Sequence, residues 1–280
     1  MTEKFINYNG NIIPAVNPVL GISNRGFRYG DGLFETIRVA KGSLCFAELH
    51  AGRLQSGMNV LKMNEVERFN ADFIEKQVKA LLKRNQTGPH ARVRLTVFRE
   101  GEGLYTPSGN KPGYAFESSK LDSALYKSSN KGLIMDIYEE IPKPVNSLSN
   151  LKTCNSLPFV MAGLYRIGRS LDDVFILNQH GFLCETMSSN VFVFYDDKLY
   201  TPALSEGCVA GVMRSVVIRL AAENGLSVVE AQINPAILNE AEEVFITNAV
   251  KGIQWVMGFY KKRYFNEVSR FLLEKLNNLF

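Results

Sequence analysis

The amino-acid sequence predicts an α+β (mixed α/β) fold in two domains. Patterns typical of strands and of helices occur in both halves of the chain, without the strict strand–helix alternation that builds a parallel sheet. The stretch at residues 118–131 is polar and has no periodicity, as is typical of a linker. Because 280 residues suffice for two medium-sized cores, we expect domains at residues 1–120 and 132–280, joined by a linker at 121–131.

Hairpins and helices are predicted in the first half. Asn9-Gly10-Asn11 and Lys41-Gly42 each separate two runs with strand character, which is typical of tight turns between paired strands. Asn70 is placed to cap a helix. That helix would carry one apolar face, formed by Phe73, Ile74, Val78, Leu81 and Leu82. The other predictions for this half are a helix at residues 48–63, a strand–turn–strand at 5–13, and strands at 33–39, 43–46, 91–98 and 113–117.

The second half shows the same mixture of elements. Its clearest helix is predicted at residues 209–222, where apolar residues recur at helical spacing. A helix at residues 156–167 tolerates Pro158 because the proline falls in its first turn. The remaining predictions are strands at residues 132–139, 174–178, 190–194, 226–229 and 244–247, a short helix from Asn234-Pro235, and a closing helix at 268–280.

The composition argues against several classes of function. The formal net charge is +4 and no basic run is longer than Lys261-Lys262-Arg263, so we expect no nucleic-acid surface. Three histidines and four cysteines are scattered without metal-ligand spacing, so we expect no metal site and buried free thiols. The chain has no basic-then-apolar leader, and no apolar run approaches the ~20 residues of a membrane span. A cytoplasmic protein without a membrane partner is therefore expected.

Three segments have residues that could serve a function beyond forming helices, strands and turns. Residues 205–211 place two glycines before a helix, where backbone N–H groups and the helix dipole favour phosphate, although glycines there also suit an ordinary turn. Residues 183–190 place Glu185 among hydroxyl groups, where it could hold a protonated ring nitrogen or belong to a turn. Lys152 stands among small polar residues. Imine chemistry on a lysine needs desolvation or a nearby cation, and residue types alone do not separate Lys152 from a solvated surface lysine.

The order of seven short motifs carries more information than any one motif. In chain order they are FRYGDGLFETIR at 27–38, ELHAGRL at 48–54, Lys152, Glu185 with Ser189-Asn190-Val191-Phe192, Tyr200-Thr201-Pro202, Gly211-Val212-Met213-Arg214, and Ile246-Thr247-Asn248-Ala249. This series resembles the class IV (fold-type IV) enzymes that depend on pyridoxal phosphate (PLP). That family includes branched-chain aminotransferases, D-amino-acid aminotransferases and aminodeoxychorismate lyases. The resemblance extends over nearly the whole chain.

The resemblance implies a fold, a cofactor and roles for single residues. The fold would pair a small N-terminal α/β domain with a larger C-terminal barrel-like domain of the D-amino-acid aminotransferase-like fold, with PLP between them and a homodimer completing the site. Lys152 would bind PLP covalently and move the proton at the substrate Cα, and Glu185 would keep the pyridine nitrogen protonated. Further implied residues are Arg53, Val212, Met213 and Thr247 at the phosphate, Ser189 and Asn190 at the cofactor, and Tyr29, Glu35, Tyr105 and Asn248 in the substrate pocket.

Departures from each subfamily leave the exact reaction open. Leu157 stands where the branched-chain enzymes carry a tyrosine. The D-amino-acid enzymes carry an arginine and a histidine together after the strand that here is residues 92–98, and this pair is missing from the run REGEGLY at residues 99–105. Met213 resembles the lyases, whereas Glu35 and Thr247 resemble the aminotransferases. We expect an aminotransferase that acts on a small-molecule amino acid and 2-oxo acid pair and is similar to the branched-chain enzymes. The alternative is aminodeoxychorismate lyase, which releases pyruvate and 4-aminobenzoate.

Overall fold

The chain forms two compact units in the computed structural model, which describes residues 4–280. Within the described residues, the first unit comprises residues 4–125 together with Leu151–Asn155. The second unit comprises Tyr126–Asn150 and Ser156–Phe280. Each unit combines a sheet with helices, so the mixed α/β class predicted from the sequence is confirmed.

The first unit is built on a six-stranded antiparallel sheet. Its strands are β1 (Phe5–Tyr8), β2 (Asn11–Pro14), β3 (Gly32–Ala40), β4 (Ser43–Leu44), β5 (Ala91–Arg99) and β6 (Pro112–Lys120). Across the sheet they lie in the order β2-β1-β6-β5-β3-β4. Asn9-Gly10 and Lys41-Gly42 form the turns of its two tightest hairpins, and all four residues have positive φ, which matches the twist of paired strands.

The helices of the first unit pack against this sheet. They are α1 (Arg25–Tyr29), α2 (Ala47–Val60) and α3 (Ala71–Asn85). The side chain of Asn70 accepts a hydrogen bond of 2.9 Å from the N–H of Phe73, so the predicted cap of α3 is confirmed. Ile74, Val78 and Leu81 are buried on the face of α3 that meets the core of the first unit. This stripe is the local pattern that predicted the helix.

The segment Leu151–Asn155 packs with the first unit, although the sequence boundaries assigned it to the second domain. The N–H of Phe34 donates to the carbonyl of Lys152, and the N–H of Cys154 donates to the carbonyl of Gly32, both at 2.9 Å. The short strand β4 pairs only with the end of β3, at Val39 and Ala40. The beginning of β3 therefore has backbone groups that need partners, and the segment supplies them.

The second unit is built on a nine-stranded mixed sheet. Its strands are β7 (Leu133–Lys143), β8 (Asp173–Asn178), β9 (Leu183–Thr186), β10 (Asn190–Tyr195), β11 (Lys198–Pro202), β12 (Ser227–Ala231), β13 (Glu243–Asn248), β14 (Gly252–Phe259) and β15 (Lys262–Arg263). The order is β12-β11-β10-β13-β14-β7-β8-β9, with β15 beside β14. Because β9 also lies against β10 and β11, the sheet curls, as the barrel-like expectation requires.

The helices of the second unit are α4 (Leu157–Gly168), α5 (Val212–Glu223) and α6 (Glu267–Asn277). Helix α5 begins at Val212, three residues later than predicted. The reason is that Gly211 has an extended backbone, with φ −66° and ψ 130°, and that the Val209 carbonyl accepts a hydrogen bond from Asn190 Nδ2. A second difference is that residues 183–186 form β9, a buried strand, rather than part of a polar turn.

Candidate active site

Glu185 is the buried carboxylate at the centre of the candidate site. It lies on β9, opposite Ile176 of β8, and is 3% exposed. Its Oε2 atom accepts a hydrogen bond of 2.8 Å from the N–H of Val209, and its Oε1 atom contacts the ammonium group of Lys143. A buried carboxylate must be paired or hydrogen-bonded. Here a backbone donor and a cation meet that requirement.

Lys143 is a site residue that the sequence analysis missed. It ends β7, its side chain is 11% exposed, and its Nζ atom lies 5.4 Å from the centre of the Phe159 ring. The only local signal is its position between Pro142 and Pro144. Its partner is 42 residues away along the chain. Only the packing of the sheet brings the two together.

The loop before α5 is held in place by two asparagines. The Nδ2 atom of Asn150 donates to the carbonyls of Leu204 and Cys208, at 2.8 and 2.7 Å. The Nδ2 atom of Asn190 donates to the carbonyl of Val209 at 2.8 Å. These bonds give the loop carbonyls side-chain partners. The N–H group of Val209 in the same loop donates to the Glu185 carboxylate. The loop is therefore a fixed support rather than an irregular connection.

The start of α5 and the Thr247 hydroxyl form the second part of the site. The N-cap residue of α5 is Gly211, which has no side chain to cap the helix, and a Cβ atom added to Gly211 would collide with the Asn190 side chain. Asn190 on β10 pairs directly with Thr247 on β13. The Oγ1 atom of Thr247 is buried and has no hydrogen-bond partner among residues 4–280. Uncapped N–H groups of a helix beside an unsatisfied hydroxyl are suited to bind an anion.

Val212 and Met213 can contribute to this site only through their backbone. Their side chains are buried in the core of the second unit, at 4% and 1% exposure. Ser189 and Asn248 are hydrogen-bonded to each other, since Asn248 Nδ2 donates to Ser189 Oγ at 2.9 Å. Asn248 Oδ1 also accepts from the N–H groups of Val250 and Lys251. Asn248 thus shapes the turn after β13.

Arg53 and Glu35 form a buried ion pair in the first unit. Arg53 Nε donates to Glu35 Oε1 at 2.7 Å, and Arg53 Nη2 donates to Glu35 Oε2 at 2.5 Å. His50 Nδ1 lies 2.7 Å from the same Oε2 atom. Burial by itself would raise the pKa of Glu35, but Arg53 and His50 lower it to about 2. Glu35 was expected to line the substrate pocket, whereas both of its oxygens here hold these two neighbours.

Lys152 and the two tyrosines also lie in the first unit. The Nζ atom of Lys152 is 4.4 Å from the centre of the Phe34 ring. The rings of Tyr29 and Tyr105 have centroids 5.6 Å apart, and Tyr105 is 89% exposed. Seven of the expected site residues therefore fall in the second unit and five in the first: Glu185, Ser189, Asn190, Val212, Met213, Thr247 and Asn248, against Tyr29, Glu35, Arg53, Tyr105 and Lys152.

Metal-ligand clusters, membrane-spanning helices and cysteine thiols are features that would point to other classes of function in residues 4–280. Within residues 4–280, no cluster of three metal-ligating side chains occurs. None of the helices in this range is long and apolar enough to cross a bilayer. Cys45, Cys184 and Cys208 are buried thiols, as expected, and Cys154 is half-buried.

Comparisons with known proteins agree on one family. The model of the family described as "Amino-transferase class IV" matches residues 32–257. An aminodeoxychorismate lyase of Vibrio harveyi is 28% identical over 249 residues, covering 89% of both chains. A branched-chain-amino-acid aminotransferase of Pseudomonas aeruginosa is 24% identical over 253 residues, covering 88% of this chain and 81% of the relative. Both names also occurred among the activities implied by the motifs.

A solved structure agrees with the fold. The branched-chain amino acid aminotransferase from Escherichia coli superposes with a TM-score of 0.87 at 19% identity. The match covers 100% of this chain and 95% of that one. Class IV aminotransferases depend on pyridoxal phosphate, so the cofactor expected from the sequence is supported by family membership.

Proposed function

Because the chain belongs to the class IV aminotransferases, we propose that it transfers an amino group from an amino acid to a 2-oxo acid, with substrates similar to those of the branched-chain enzymes. The observation that carries the proposal is the buried hydroxyl of Thr247, which has no hydrogen-bond partner in the described part of the chain and lies beside the start of α5. An unsatisfied buried hydroxyl is costly unless a ligand completes it. A phosphate group would complete it.

The second unit has groups that fit two parts of the cofactor. The start of α5, with the N–H groups of Val212 and Met213, and the hydroxyl of Thr247 would hold the phosphate. The carboxylate of Glu185 would hold the ring nitrogen, because an ionised carboxylate favours the protonated form of a neighbouring base. The loop that ends in Gly211 connects these two places through Val209, which donates to Glu185. Ser189 and Asn190 support the same loop and turn.

We propose that Lys152 binds the cofactor covalently and moves the proton at the substrate Cα. Asn150, which is anchored to the loop before α5, lies only two residues before Lys152. Arg53 would add a positive charge to the phosphate site. The guanidinium group of Arg53 donates two hydrogen bonds to Glu35, which would fix the plane of that group. When bound, the cofactor supplies a sink for the negative charge that develops at the substrate Cα. Tyr29 and Tyr105 remain proposed substrate contacts.

Replacing Thr247 by valine should weaken cofactor binding. Valine has the same shape but no hydroxyl, and loss of a hydrogen bond to a charged group corresponds to about a 10- to 100-fold increase in Kd. Equilibrium dialysis with pyridoxal phosphate measures this change. Thr201→Val is the matched control, since the Thr201 hydroxyl is also buried but donates to the carbonyl of Val191 within the sheet. An equal Kd for wild type and Thr247→Val would remove Thr247 from the phosphate site.

A substrate panel tests the proposed reaction directly. The holoenzyme would be incubated with L- and D-amino acids plus 2-oxoglutarate, and separately with aminodeoxychorismate. We expect glutamate to form with one or more branched-chain amino acids. No glutamate from any amino acid, with 4-aminobenzoate formed from aminodeoxychorismate, would overturn the aminotransferase proposal.

The lyase is the second candidate function because a specific residue favours it. Met213 stands at the start of α5, in the sequence Gly211-Val212-Met213-Arg214 that resembles the lyases. The Vibrio harveyi lyase is also among the relatives of this chain. Release of the proton and of pyruvate would use the same lysine and the same carboxylate. The panel above separates the two reactions by their products.

We propose that the enzyme works as a homodimer in which α4 contacts the second copy. This helix is mostly apolar, yet only Ala162 is buried among its residues. Leu157 and Ile167, at its two ends, are 77% and 66% exposed. An apolar helix face of this length is unusual on a monomer and typical of an interface. The exposed face consists of Leu157, Val160, Met161, Leu164 and Ile167.

Replacing Leu164 by glutamate should convert the dimer to a monomer. A charge at the centre of an apolar contact is left unpaired on association, which costs several kcal/mol. Light scattering coupled to size-exclusion chromatography measures the mass in solution. Leu279→Glu places the same charge on an exposed apolar residue near the C-terminus, outside α4, and should leave the dimer intact. A dimer with Leu164→Glu, or a monomeric wild type, would contradict the proposed interface.

A further inference from the structure

Lys143 is a buried cation to which the proposed function gives no task. Its ammonium group contacts Glu185 Oε1, the carboxylate proposed for the ring nitrogen. The two side chains are 11% and 4% exposed, so solvent screens their interaction only weakly. Such a pair is costly to bury, and a neutral residue would pack there at lower cost. The charge at this position therefore calls for a functional reason.

The carboxylate has room for a further donor. Its two oxygens offer about four lone-pair sites. Val209 N–H uses one on Oε2, and Lys143 uses one on Oε1. A protonated ring nitrogen can therefore bind the same carboxylate while Lys143 remains in place. The phenyl ring of Phe159, 5.4 Å from Lys143 Nζ, supports the ammonium group from another side.

The other titratable groups near Glu185 are either neutral or bonded to other residues, so Lys143 is the cation that interacts with its carboxylate. Burial raises the pKa of Cys184 and of Cys208, the latter to about 11, so both thiols are neutral near pH 7. Glu206 accepts hydrogen bonds from Asn178 and Gln232. The guanidinium of Arg214 is paired with Glu230.

We propose that Lys143 is a positioning residue of the cofactor site, which fixes the Glu185 carboxylate and shares it with the ring nitrogen. This inference rests on the proposed function, because it needs Glu185 to hold that nitrogen. Like charges that share one carboxylate disfavour each other. The ring nitrogen should consequently hold its proton less tightly than it would beside a carboxylate without a second cation. Through the protonation of the ring nitrogen, Lys143 would thus set how well the bound ring accepts negative charge from the substrate Cα.

The test measures protonation of the ring nitrogen without using activity. The holoenzyme is loaded with pyridoxal phosphate labelled with ¹⁵N in the ring, and the ¹⁵N chemical shift is followed against pH in wild type and variants. Lys143→Met removes the charge and should raise the titration midpoint by about 1 to 3 pH units. Lys143→Arg keeps the charge and should titrate like wild type. Lys143→Gln is a second neutral variant that can still donate to Glu185, and it should shift the midpoint in the same direction as Lys143→Met.

The outcomes separate this inference from the proposed function. Bound cofactor with the same midpoint in wild type, Lys143→Gln and Lys143→Met would overturn the role of Lys143 and leave the proposed function standing. A wild-type protein that binds no pyridoxal phosphate would overturn both. Borohydride reduction that fixes the cofactor to Lys143 rather than to Lys152 would make Lys143 the covalent residue and would also overturn its positioning role.

Discussion

Lys152→Ala should abolish the cofactor adduct that borohydride fixes to this protein. A methyl group has no amine to bind the cofactor and no base to move the proton at the substrate Cα. Turnover should fall by at least about 10²- to 10⁴-fold, the contribution of a positioned general acid–base alone. Mass spectrometry of the reduced and digested protein identifies the modified lysine, and the amino-acid panel measures the turnover.

The control for this experiment is an exposed lysine. Lys79 lies on the surface of α3, paired with Glu75. Lys79→Ala should therefore leave the adduct and the turnover unchanged. An adduct of wild-type yield in Lys152→Ala would move the covalent site to another lysine. Lys143 would be examined first, since its amine already contacts Glu185.

Glu185→Gln should keep the cofactor but lose most of the activity. The amide has nearly the same shape, yet it carries no charge to hold a proton on the ring nitrogen, so the ring accepts electrons poorly. Loss of one preorganised electrostatic contact of this kind typically lowers kcat by about 10²- to 10³-fold. The measurement is kcat at saturating pyridoxal phosphate, together with the Kd of the cofactor.

Two variants control for effects on the fold. Glu230→Gln removes a half-exposed carboxylate that pairs with Arg214, so it should preserve kcat. Glu185→Gln also leaves the buried Lys143 without its partner, which destabilises the protein on its own. The double variant Lys143→Met with Glu185→Gln removes that unpaired charge and should still be inactive. Wild-type turnover in either variant that lacks Glu185 would reject its assigned role.

Local interactions made several parts of the fold predictable. The Asn70 cap of α3 needs only the N–H three residues later, and the structure confirms it. The turns at Asn9-Gly10 and Lys41-Gly42 need only positive φ at those positions. The buried face of α5 follows from apolar residues at helical spacing. In each case the determining contact spans a few residues of chain.

Longer-range contacts explain what was predicted wrongly or missed. The pattern placed the start of α5 at Val209, but the Val209 carbonyl accepts from Asn190, 19 residues earlier in the chain, and Gly211 is extended. Residues 183–190 gave a polar pattern, yet pairing with β8 makes the first part a buried strand. Strand β14 (Gly252–Phe259), which no pattern predicted, pairs with β13 in the middle of the second sheet. These partners are too far apart in the sequence to be recognised from the pattern of a short segment.

The sequence by itself determined the mixed α/β class and, through the order of its motifs, the family and its cofactor. The tertiary structure decided which groups meet. It alone paired Lys143 with Glu185 and joined Leu151–Asn155 to β3. It also left the Thr247 hydroxyl beside α5 without a partner from residues 4–280. The physical reason is that caps, turns and helix faces are settled by neighbours in sequence. The partner of a buried charge or hydroxyl depends instead on how distant strands pack, and that is fixed only when the whole sheet has formed.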